Sequence, residues 1–112
     1  MAPDSAFRCE VEHQKEKDEH ENRVTIVRCH GRLVSDTADG IKDTVKPLIP
    51  QGGRIIIDLA DLTHLDSSGL GALVGLKASA IRQGYCSLEL SNATPNVLEL
   101  LRVTRLTQLF SS

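Results

Sequence analysis

Apolar residues fall on every second position in Phe7-Arg8-Cys9-Glu10-Val11-Glu12, which predicts a strand with one buried face and a charged outer face suited to a sheet edge. The run from Gln14 to Arg23 carries no apolar residue and reads as a solvated hairpin connection. Val24-Thr25-Ile26-Val27-Arg28-Cys29 is rich in β-branched residues and ends at Gly31, so it predicts a second, more central strand. Ser35 or Asp36 then offers a cap, and Ala38, Ile41, Val45 and Leu48 or Ile49 recur at helical spacing for about three turns, until Pro50 and Gly52-Gly53. The continuous apolar run Arg54-Ile55-Ile56-Ile57-Asp58-Leu59 predicts a strand buried on both faces.

From Leu59 the chain reads as a long loop up to Ser68, and a helix follows with Leu70, Leu73, Val74, Ala78 and Ile81 on one face, closed by Gly84. Cys86 to Ser91 alternates again as a strand. Thr94-Pro95 pairs a cap with proline at the first helical position, opening a helix through Val97, Leu98 and Leu101, and Thr104 starts a last helical turn or two carrying Leu106, Leu109 and Phe110. Two successive strand-helix-strand units, each crossing over right-handedly, give three parallel strands. The first strand adds an antiparallel N-terminal edge. The expected fold is therefore α/β: one domain over residues 1–112, with a mixed four-stranded sheet and about four helices mostly on one face.

Composition narrows the function classes. With 40% hydrophobic and 25% charged residues the chain has the make-up of a folded globular domain. A formal charge of −2 with scattered Lys and Arg shows no phosphate-backbone footprint, and Phe7, Tyr85 and Phe110 alone give no stacking platform, so direct nucleic-acid binding is not expected. Cys9, Cys29 and Cys86 are widely spaced in core-type runs, against a zinc site or disulfide framework. His13 and His20 read as surface histidines. The N-terminal residues lack the apolar centre of a signal peptide and no segment reaches membrane-span length, so residence in a reducing cytoplasm is expected, without membrane insertion.

In an open parallel sheet, partners gather beyond the carboxyl ends of the strands, where Asp66-Ser67-Ser68-Gly69 falls. Both serines stand where a helix begins, so its free N–H groups and positive dipole end tolerate a phosphate. Plain helix capping explains the same residue types and stays open at this point. Gly69-x-Gly71-x-x-x-Gly75 is a poor dinucleotide fingerprint: the expected loop before it is too long, Val74 takes the third small position, and Ser91-Asn92 replaces the acidic ribose ligand. His64 is the only histidine near the serines in sequence. A Ser68–His64 nucleophile-base pair also requires an orienting carboxylate and an oxyanion hole, so His64 is expected to be a loop residue.

The stretch Ile57-Asp58-Leu59-Ala60-Asp61-Leu62-Thr63-His64-Leu65-Asp66-Ser67-Ser68-Gly69-Leu70-Gly71-Ala72-Leu73 closely resembles the central signature of the STAS family, which includes bacterial anti-sigma factor antagonists. The resemblance extends from about Phe7 to Phe110. It implies that Ser68, just before the glycine, is the phosphoacceptor, and that Asp66, Ser67, Ser68, Gly69 and Leu70 form the partner-binding stretch. The partner it implies is an anti-sigma factor serine kinase, with a serine phosphatase to reset the switch. No catalytic residue, cofactor or metal is expected, and the oligomeric state is a monomer or weak dimer. The alternative within the family is an unphosphorylated structural subunit of a stressosome-like or lipid-transport complex; a small nucleotide-hydrolysing domain is a third class. Two departures from the family pattern stand out: Gly31-Arg32-Leu33-Val34 where Gly-Glu-Leu-Asp is usual, and Arg105 where many relatives have glycine.

Overall fold

A computed structural model of the chain describes residues 7–110; the first six residues, on which the expectation of no signal peptide partly rests, lie outside it. The strands are β1 (Arg8–His13), β2 (Val24–Leu33), β3 (Gly53–Leu65) and β4 (Cys86–Ser91), and the helices are α1 (Ala38–Val45), α2 (Ser67–Gln83) and α3 (Pro95–Val103). They form one sheet in the order β1-β2-β3-β4, with β1 antiparallel to β2 and the other pairs parallel. This is the mixed α/β sheet that the alternation and the two crossovers predict. Among the described residues no helix is long and apolar enough to cross a membrane.

The core lies on one face of the sheet. Val27, Cys29, Ile55, Ile57, Leu59 and Leu88 point into it, where they meet Ile41 and Val45 of α1 and Leu70, Leu73 and Leu76 of α2. The expectation that the central strand is buried on both faces is not met, because Ile56 and Asp58 are only half-buried. Over the outer face, Arg54 donates to both carboxylate oxygens of Glu89, Arg28 pairs with Glu12, and His30 lies between Glu10 at 2.7 Å and Asp61 at 2.9 Å. Ile26 and Ile56 on this face are half-buried.

Four further expectations are corrected. Thr37, not Ser35 or Asp36, stands at the N-cap position of the first helix, and its hydroxyl turns back to the preceding segment, accepting from the Val34 amide and donating to the Arg32 carbonyl at 2.6 Å. The helix also gives way to a 3-10 segment, Lys46–Gln51, because Pro47 has no N–H to continue the α ladder; Leu48 and Ile49 still reach the core. On α2 the buried stripe takes in Leu76, Lys77 and Ala80, while Ile81 is 59% exposed and Ala78 half-buried. Lys77 lies there because its ammonium donates to the Leu88 carbonyl at 2.8 Å, which gives a buried charge a polar partner. Leu98 is likewise exposed, and α3 buries Val97 and Leu101.

The last expected helix is a single 3-10 turn, Gln108–Phe110, and Thr104 ends α3 instead of starting a new one. Its hydroxyl donates to the Leu100 carbonyl at 2.7 Å. The Leu106 amide reaches back to the Leu101 carbonyl (2.8 Å) and the Arg105 amide to the Arg102 carbonyl (3.1 Å), the paired bonds of a Schellman helix end. That motif needs a left-handed residue, and Arg105 supplies it at φ +61°. The family pattern that the sequence resembles carries glycine here, and the left-handed backbone gives the physical reason. Arg105→Gly is expected to raise stability by about 0.5–1 kcal/mol, the left-handed penalty removed less the extra chain entropy of glycine. Urea unfolding with an unchanged m-value checks it; an unchanged midpoint counts against the strain.

Candidate functional site

The carboxyl ends of β2 and β3 carry the site. Both strands run further than their composition suggests. Gly31, at φ +94°, absorbs an irregularity and lets β2 continue to Leu33, and β3 follows it, pairing Leu62 with Gly31 and Leu65 with Leu33. Residues 60–65, expected to be loop, are therefore strand, and His64 with them. Only Asp66 separates β3 from α2.

Asp66 is the N-cap of α2, in extended conformation. Its Oδ1 accepts from the Gly69 amide at 2.9 Å and its Oδ2 from the Ser35 amide at 3.1 Å, so one carboxylate ties the helix start to the segment after β2. The Leu33 carbonyl closes the circle by accepting from the Asp66 amide at 3.4 Å. The Gly69 amide holds the Asp66 carboxyl below the usual carboxylate range, opposed by burial and helped by the Ser35 and Ser68 amides.

Gly69 is buried for a steric reason. A Cβ at this position would lie 2.1 Å from the Leu33 carbonyl oxygen and 2.9 Å from a Leu65 methyl carbon. The close backbone approach that glycine permits is thus used by the chain's own strand, which argues against a nucleotide there better than loop length did, since that loop does not exist. Gly71 and Gly75, by contrast, have open space around them.

The sequence-derived residues separate into two groups. Ser67 and Ser68 are exposed in the first turn of α2, and among the described residues neither hydroxyl is engaged in a hydrogen bond. Asp66 is half-buried. Gly69 and Leu70 are buried, so they support the surface from beneath. Beside the serines a groove of about 560 Å³ opens between the strand ends and the start of α3, with Arg32, Asp36, His64 and Asn96 on its walls. Two of its wall residues, Arg32 and Val34, are the positions at which the sequence departs from the pattern it resembles. His64 turns its Nδ1 to the Thr63 hydroxyl at 3.1 Å and makes no hydrogen bond to Ser68. Sequence reasoning missed Leu33 and Ser35 as parts of the site, because their contribution is backbone and leaves no side-chain signature.

The STAS domain family model matches residues 15–112. The anti-sigma-B factor antagonist of Bacillus subtilis (strain 168) is 31% identical over 90 residues, 80% of this chain and 79% of that protein. Among solved structures, the anti-sigma factor antagonist SpoIIAA in its unphosphorylated form superposes with a TM-score of 0.69 at 24% identity, over 93% of this chain and 84% of that one. The phosphorylated form of the Bacillus cell fate determinant SpoIIAA gives 0.65 at 22% identity, over 93% and 87%.

Two outcomes are expected. Gly69→Ala should cost about 2–3 kcal/mol through overpacking against Leu33, whereas Gly71→Ala should gain about 0.5–1 kcal/mol from helix propensity, as urea midpoints will read. Equal effects at the two positions contradict the packing assignment. Because the folded-state pKa of Asp66 lies below its unfolded value, its contribution is present above about pH 3.9 and is lost as pH falls through the folded pKa. Asp66→Asn should therefore flatten the acid limb of the stability curve; an acid limb identical to that of the parent protein rules this out.

Proposed function

The chain belongs to the STAS domain family, and from that premise we propose that it is an anti-sigma factor antagonist, a binding switch operated by phosphorylation of Ser68. The observation that carries the reading is the exposed, unengaged Ser68 hydroxyl on a helix start whose backbone is held on both sides. A kinase needs a serine oxygen that it can approach; a binding surface needs a fixed shape.

The kinase is the anti-sigma factor itself. It transfers the γ-phosphoryl group of ATP to the Ser68 oxygen, and a serine phosphatase returns the hydroxyl. This chain contributes no catalytic group, since the chemistry at Ser68 belongs to its partners, and it works in the cytoplasm. Asp66, Ser67 and Ser68 meet the partner directly, with Gly69 and Leu70 fixing their height above the core.

Phosphorylation adds about −1.5 to −2 charges. The free amides at the start of α2 tolerate that charge, so the fold survives. The bound partner does not tolerate it: a surface shaped around a neutral hydroxyl meets a dianion near Asp66, and each 1.4 kcal/mol of repulsion and desolvation weakens binding about tenfold. Arg32 and Val34 in place of carboxylates select a partner whose facing surface is less basic than that of the usual family kinase.

Ser68→Ala is expected to keep the fold and bind the kinase but take up no phosphate. Ser68→Glu should weaken binding at least about tenfold, and Ser67→Glu less. Calorimetry with the purified kinase, paired with a phosphate assay, decides this. Phosphate retained in Ser68→Ala, or equal losses for the two glutamates, removes Ser68 from its role.

A further inference from the structure

Cys9 and Cys29 are far apart in sequence, but the hairpin register sets them directly opposite each other across β1 and β2. Both face the core side of the sheet, Cys29 fully buried and Cys9 half-buried at the edge, beneath α1 and next to Thr44. Opposed residues in an antiparallel pair have Cα atoms about 4.5 or 5.5 Å apart, and both separations fall within the range that a disulfide spans.

We propose that Cys9 and Cys29 form an oxidant-responsive dithiol, a modification site at which hydrogen peroxide converts two thiols into a disulfide that locks β1 onto β2. The half-buried Cys9 is the attacking thiol and the buried Cys29 the resolving one. The neighbouring Cys29 thiol, with smaller help from Thr44 and His30, holds the Cys9 thiol below its ordinary value against the opposing effect of burial. The proximity of Cys9, then burial, pushes Cys29 up. A thiolate is the nucleophile toward peroxide, so the reactive form lies on the accessible member of the pair.

The Cys9 thiolate attacks one peroxide oxygen. The O–O bond breaks, the departing oxygen leaves as water after taking a proton, and Cys9 becomes a sulfenic acid. The Cys29 sulfur then attacks the sulfenic sulfur, its proton leaving with the expelled hydroxyl as the second water. Two electrons pass from the sulfurs to the peroxide, and the two thiol hydrogens end in water. Cys86 has no thiol opposite it, and burial pushes it up. It serves as the internal control.

The test exposes the reduced full chain to hydrogen peroxide, traps remaining thiols by alkylation in denaturant, and maps peptides alongside the intact mass. The expected result is a loss of two hydrogens, a Cys9–Cys29 cross-linked peptide within one chain, and Cys86 alkylated, its own oxidation at least about tenfold slower. Dithiothreitol should reverse the change. Thermal unfolding should move to higher temperature in the oxidised protein, and Cys9→Ser, at a half-buried edge position, should abolish both the link and the shift. Cys9 carried to sulfinic acid with Cys29 still alkylated overturns the proposal. So does a link to Cys86 or to a second chain, or three intact thiols at peroxide levels that oxidise the denatured chain.

Discussion

The start of α2 reaches the end of β2 only because residue 69 has no side chain. With a Cβ position 2.1 Å from the Leu33 carbonyl oxygen, any other residue pushes the helix off its strand. The approach also brings the Ser35 and Gly69 amides within reach of one carboxylate, that of Asp66. Sterics and hydrogen bonding therefore reinforce each other: glycine sets the distance, and Asp66 fills the polar gap. Ser67 and Ser68 are displayed as a consequence. Their hydroxyls are free because Asp66 has taken the capping role that a serine could otherwise fill.

A sheet covered on one face suits a binding module. The helices pack over Val27, Ile55, Ile57 and Leu59, and the other face is finished with cross-strand pairs such as Arg54–Glu89 and Arg28–Glu12. Exposed pairs of this kind add little stability, in general about 0–1 kcal/mol each. They give this face a charged finish, with Ile26 and Ile56 half-buried among them. The hairpin connection is ordered by a polar device as well: Asp18 accepts from the amides of His20 and Asn22 at 2.9 and 2.8 Å.

Periodicity made most of the fold legible. Alternation located β1 and β4, β-branched runs located β2 and the first half of β3, and Thr94-Pro95 and Gly84 marked helix ends that the structure keeps. What it could not show depends on long-range pairing. Residues 60–65 look like loop because Asp61, Thr63 and His64 are polar; they become strand because the extension of β2 past Gly31 offers a partner. The buried stripe of α2 was misjudged at Ile81 because Lys77, polar in sequence, lies inside through its bond to Leu88. At the site, side chains announced Asp66, Ser67, Ser68 and Gly69, whereas Leu33 and Ser35 act through their backbone. The opposition of Cys9 and Cys29 was hidden for a similar reason: it depends on hairpin register, which a long charged connection without glycine or proline does not specify.

In the proposed switch, phosphorylation of Ser68 changes the charge of a fixed surface and leaves the fold alone. Amide nuclear magnetic resonance spectra of the unmodified chain and of a chain synthesised with phosphoserine at position 68 test it most directly. The expected result is that shifts are confined to the first turn of α2, Ser35 and the groove walls, with hydrogen-exchange protection unchanged in β2 and β3. Shifts spread through the sheet, or lost protection at Gly69 and Leu70, would contradict it and show that phosphate acts by remodelling the helix start.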